Sequence, residues 1–140
     1  MDKALNYLAL ARKGGMAELG EEPVGGAARA GKAYAILVAS DASDHTWRRA
    51  KSFAAGTEQQ CVRLPYTKDE LGQAIGRDAL AMGAVTDVSL ALALVKALPE
   101  QEKYKEALEV LERKSQKAKK RQAEAKAHAR NVRTGKKKHE

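Results

Sequence analysis

The chain is poor in the residues that usually announce an enzyme, a secreted scaffold or a membrane protein. Aromatic residues make up only 4% of its 140 positions, one Trp, one Phe and four Tyr, so a core must be built mainly of Ala, Leu and Val. A single cysteine, Cys61, excludes an internal disulfide, and in a strand-like segment it reads as a small buried hydrophobe. No stretch of membrane-spanning length is free of charge, and Met1-Asp2-Lys3 opens onto an amphipathic segment without an apolar leader core, which predicts a soluble, cytoplasmic protein. Walker and dinucleotide fingerprints are absent, and Gly14-Gly15 and Gly25-Gly26 are isolated pairs. His45 beside Asp44 has no nucleophile to serve and reads as a helix-start surface residue. His128 and His139 lack metal-ligand spacing. The sequence therefore predicts no catalytic residue, metal site or cofactor.

What is present is apolar residues enough for a core, 44%, and a net charge of +8 that is unevenly spread. Residues 1–98 carry 12 Lys and Arg against 11 Asp and Glu, whereas residues 99–140 carry 14 against 7. Between Arg113 and Lys138 there are 12 basic residues and one acid, with no apolar side chain larger than Ala except Val132. That segment is not expected to bury a core. Such a polycation repels itself unless phosphates neutralise it, and it lacks the apolar face a membrane helix needs. The reading is a near-neutral domain over residues 1–98 and a basic, helical extension over residues 99–140.

Within the domain, Ala35–Ala39 is an unbroken apolar run too short for a buried helix, which suits a strand covered on both faces. Ser40-Asp41-Ala42-Ser43 stops it, and Ser43 or Asp44 caps a helix through Trp47 and Phe53. Upstream, residues 2–12 have helical spacing, Met16–Leu19 is extended, and a second helix is expected from about Pro23 to Ala30, closed by Gly31. Downstream come a strand at Cys61–Leu64, a capping box Thr67-Lys68-Asp69-Glu70 starting a helix to Ile75, a strand at Ala81–Thr86, and a helix capped by Asp87 or Ser89. Alternating strands and helices predict a three-layer α/β/α sandwich around a small mixed sheet. Past Pro99, Tyr104, Leu108 and Leu111 form one short apolar stripe.

Three stretches taken together, Leu8–Gly15 leading to Gly20-Glu21-Glu22, Ala39–Ser43 with Thr46, and Thr67–Gly76, resemble the large-subunit ribosomal protein seven-Ae superfamily, nearest its small bacterial ribosome-associated members. The resemblance covers roughly residues 3–98. It implies an α/β/α sandwich that binds RNA, commonly a kink-turn, through neighbouring loops at one end. Kink-turn binders carry Gly-x-Asn-Glu and then a Lys one turn later. Here those places fall at Gly20, Glu22, Pro23 and Gly26, so the glycine alone is kept. The resemblance further places Lys68 near phosphate, Trp47 near an unstacked base, and Leu80-Ala81-Met82-Gly83 on an apolar loop over a flipped-out nucleotide. Lys32 and Arg77 complete the expected RNA-facing set, and Lys117, Lys119, Lys120, Arg121, Lys126, Arg130, Arg133, Lys136, Lys137 and Lys138 the expected phosphate contacts of the tail.

Several of these residues have plainer readings. Trp47 packs with Phe53 as readily as it offers a stacking surface, Glu21-Glu22 suits a helix start, and Leu80–Met82 suits a core. The expectation is a monomeric, non-catalytic RNA-binding protein whose partner is ribosomal RNA, with ribosomal proteins second and no membrane contact. A protein-interaction adaptor with an eroded RNA face is the alternative.

Overall fold

The apolar run at Ala35–Ala39 supplies the middle of a four-stranded sheet. The computed structural model describes residues 2–138, with side chains for residues 2–129. In order, it contains α1 (Lys3–Lys13), β1 (Ala17–Leu19), α2 (Glu21–Arg29), β2 (Ala35–Val38), α3 (Asp44–Ala54), β3 (Gln60–Arg63), α4 (Lys68–Ala74), β4 (Met82–Val85), α5 (Val88–Lys96), a 3-10 turn (Gln101–Tyr104) and α6 (Lys105–Lys138). Strand order is β1-β4-β2-β3. β2 is parallel to β3, while β4 is antiparallel to both β2 and β1, so the sheet is mixed as expected.

Both faces of β2 are covered, which is why its sequence shows no polar alternation. Ala35, Leu37 and Ala39 enter one core with residues of α1, α4, α5 and α6, and Ile36 and Val38 enter the other beneath α2 and α3. Helix starts follow the local chemistry. Asp2, Ser43, Thr67 and Asp87 each accept an N–H of the first turn of α1, α3, α4 and α5, and Thr67 with Glu70 makes the full reciprocal box. α2 begins at Glu21, ahead of the expected Pro23, because proline in a first turn gives up no helical hydrogen bond. Gly25 in this helix has a packing role: a Cβ there would lie 3.0 Å from Cζ of Phe53 on α3.

The extension folds back onto the domain before leaving it. Tyr104, Ala107 and Leu111 are buried in the first core, and the Tyr104 hydroxyl donates to the carbonyl of Arg63 at 3.0 Å. Burial continues past Arg113, contrary to expectation, because small Ser115 and Ala118 let the helix lie close to its neighbours. From Lys119 to Ala129 every side chain is exposed. Among the described residues no helix is long and apolar enough to cross a membrane.

Candidate nucleic-acid interface

Because β1, β2 and β3 run one way and β4 the other, four connections meet at one end of the sheet: β1 to α2, β2 to α3, β3 to α4, and α4 to β4. Strand ends that place loops together in this way are where α/β proteins hold ligands. Hydrogen bonds between the loops fix their relative positions. Gly20, at φ +99°, turns β1 into α2 and donates its N–H to the carbonyl of Met82 at 2.9 Å. Ala39 donates to Ala81 at 3.0 Å, Ser40 to Tyr66 at 2.8 Å and Leu80 to Lys68 at 2.9 Å. The carboxylate of Asp41 accepts the backbone N–H of Lys68 at 2.8 Å, clasping the loop after β2 to the start of α4.

Three helices, α2, α3 and α4, point their amino ends at this surface. Side chains cap α3 and α4, but Gly20 offers none to α2, leaving amides at its positive end free to meet an acceptor. Glu21, in the first turn of α2, pairs with Arg49 of α3 at 2.8 Å, and Arg49 in turn lies 5.1 Å from the centroid of Phe53. Glu21, Glu22, Gly25, Arg29, Arg49 and Phe53 line a cavity of about 200 Å³ between the two helices. Trp47 is half-buried, with the Arg63 guanidinium 4.7 Å and the Lys51 ammonium 5.3 Å from its ring centroid. Cations therefore already cover the ring. Burial pushes the nearby Cys61 thiol up to about 11, so it stays protonated at neutral pH and is no nucleophile.

The expected RNA-facing residues do not all gather here. Gly20, Glu21, Glu22 and Lys68 stand at the loop end. Trp47 lies within the first turns of α3, and Arg77 is exposed in the turn that leads from α4 back to β4. Three placements are corrected. Leu80 and Met82 are buried, one in each core, because β4 starts at Met82 and its apolar side chains divide between the two faces; Ala81 between them is half-buried. Lys32 follows α2 and precedes β2, which puts it at the opposite end of the sheet, where buried Gln59 joins the Ala33 N–H to the Ala28 carbonyl. Lys117, Lys119, Lys120, Arg121 and Lys126 are exposed on α6. The side chains of Arg130, Arg133, Lys136, Lys137 and Lys138, and His139 entire, lie outside the described residues. Sequence reading missed the clasp of Asp41, whose partner is 27 residues away, and the stacking of Arg63 on Trp47, for which no local signal exists.

The two ends differ in charge. At the loop end seven carboxylates, Glu21, Glu22, Asp41, Asp44, Asp69, Glu70 and Asp78, stand against Arg48, Arg49, Arg63, Lys68 and Arg77, whereas at the other end Lys32, Lys114, Lys117 and Arg121 stand against Glu58 and Asp87.

Comparison with known proteins accounts for this architecture. No protein-family model matches the chain. An RNA-binding protein, YlxQ of Enterococcus faecium, is 34% identical over 83 residues, spanning 59% of this chain and 80% of that protein. A structure from Bacillus halodurans, described as a protein of unknown function, has a TM-score of 0.66 and 25% identity over 71% of this chain and all of that one. The 15.5kD RNA binding protein of Giardia lamblia shares the fold, with a TM-score of 0.51 and 17% identity over 68% of this chain and 84% of its own. The chain belongs to the ribosomal protein seven-Ae superfamily, a non-enzymatic family.

Proposed function

We propose that this protein binds structured RNA, ribosomal RNA first, as a monomeric cytoplasmic member of the small bacterial branch of its family. The loop end reads RNA shape of the kink-turn kind, and the basic extension adds phosphate contacts that carry no sequence information. Residues 1–98 supply the reading surface and residues 99–140 the extension. One observation carries the proposal: three helix amino ends converge on hydrogen-bonded loops, with the α2 amides uncapped beside Glu22, which has no ion pair among the described residues. A carboxylate there can accept from the amino and imino groups of an unpaired guanine, while Lys68 and Arg77 meet the backbone. The test compares a kink-turn RNA with a plain duplex of equal length across a salt series. Replacing Lys117, Lys119, Lys120 and Arg121 by Gln should lower the logarithmic salt slope by about 3, at about 0.7 to 0.9 per lost contact, and keep any preference for the kink-turn. An unchanged slope would refute that division of labour.

A second reading has one specific observation behind it, the carboxylate excess of the loop end. A basic protein segment would complement that surface better than phosphate does. Loop-end substitutions that leave RNA affinity intact and abolish capture of a basic peptide would favour an adaptor.

A further inference from the structure

α6 carries the basic extension away from the loop end. It starts beside the loop end, where Tyr104 bonds to the last residue of β3. It then runs antiparallel to α5, so that Arg113 and Lys114 pair with Glu58 just ahead of β3, and Lys114, Lys117, Ala118 and Arg121 line a cleft of about 100 Å³ with Tyr34 and Val88. Those partners belong to the far end of the sheet. At 1.5 Å per residue, Lys105 to Ala118 descends about 20 Å along the domain, and the helix continues about 30 Å further to Lys138. An RNA seated on the loop end is therefore separated from the exposed tail by the depth of the domain.

The far end is also the one built for phosphate. Lys32, Lys117 and Arg121 are exposed and have no ion pair among the described residues, while of the acids at this end Glu58 is taken up by Arg113 and Lys114 and Asp87 accepts the Leu90 N–H. From Lys119 to Ala129 no apolar side chain is larger than Ala, so this stretch has no apolar face to place in a bilayer.

From this we infer that the far end is a separate site for the backbone of an RNA duplex, formed by Lys32 and Tyr34 of the domain with Lys117 and Arg121 of α6, so that one molecule bridges two RNA segments at opposite ends of its sheet. The inference rests on the RNA-binding reading above. It is tested with the full chain by measuring RNA-to-protein stoichiometry in sedimentation with an excess of RNA hairpin that contains a kink-turn, at low salt and across a salt series. The wild type should take up two hairpins per protein. The variant Lys32→Gln/Lys117→Gln/Arg121→Gln should take up one, and the salt slope of overall binding should fall by about 2 to 3. A wild type that saturates at one hairpin overturns the bridge and leaves RNA binding standing, and no hairpin binding at all removes both readings. A variant that keeps two hairpins but loses binding to phosphatidylserine vesicles assigns the far end to a membrane and overturns the inference.

Discussion

The two ends of this sheet are built by different means. At the loop end, five hydrogen bonds between connections separated in sequence hold backbone groups in place, and carboxylates are spent on clasps and helix starts. At the far end, two such bonds, from Thr86 to Met16 at 2.8 Å and from Gln60 to Tyr34 at 3.2 Å, and the buried Gln59 close the strands, and long cationic side chains stand on the edge of the domain and on an emerging helix. Reading shape requires groups fixed in position, whereas attraction to phosphate requires only charge within reach. The contrast separates discrimination from affinity before any ligand is considered.

The largest effect expected of a single change breaks the boundary between domain and extension. Leu111 is fully buried in the core shared with α5, so Leu111→Ala should destabilise the whole protein by about 2–5 kcal/mol, read from urea unfolding. Lys126→Gln, on the same helix where it stands clear of the domain, should stay within about 0.5 kcal/mol. Equal effects would mean that α6 does not dock. Next comes Gly72 in α4. A Cβ there would lie 2.7 Å from backbone N and Cα of Ala79, and backbone cannot step aside as a side chain tip can. Gly72→Ala should cost about 1–3 kcal/mol and displace the turn that carries Arg77, weakening the loop end while sparing the far end.

Much of this was legible in the sequence where the cause is local. β2 could be recognised because a strand covered on both faces needs no partner in sequence to look apolar, and the box of Thr67 and Glu70 could be recognised because both hydrogen bonds close within three residues. What escaped depends on direction and distance. Lys32 reads with the loop end in sequence because nothing beside it says which way α2 returns the chain. Leu80 and Met82 looked like a covering loop because an apolar tripeptide ahead of a strand does not declare where the strand begins. The stripe of Tyr104 and Leu111 was visible, but its dock on Arg63 lies 41 residues away and has no local trace.

Smaller effects sharpen the contrast between fixed and diffuse interactions. Thr67→Ala removes the hydroxyl that accepts the Glu70 N–H and leaves only the bond from the residue 67 N–H to the Glu70 carboxylate, for a loss of about 1 kcal/mol. Since Lys68 opens the same helix, hydrogen exchange at Lys68 and Glu70 should speed up together in that variant. If only Glu70 responded, the clasp from Asp41 would be holding Lys68 without help from the cap.

The smallest expected effect concerns Glu58, the acid that anchors α6 at the far end. The hydrogen bond from Arg113, then the charges of Lys114 and Arg113, hold its carboxyl below the usual glutamate value. A group with a depressed folded-state value adds stability above its unfolded value and loses it as pH falls through the folded one. Wild type should therefore exceed Glu58→Gln in melting temperature at neutral pH, and the two should converge in acid. Glu58 and Arg113 are more than half solvent-accessible and Lys114 about a third, so the gap should be slight and should shrink with added salt. A gap that survived high salt would mean that Glu58 fixes the helix by packing rather than by charge. The far end would then share the construction of the loop end, and the contrast between the two would fail.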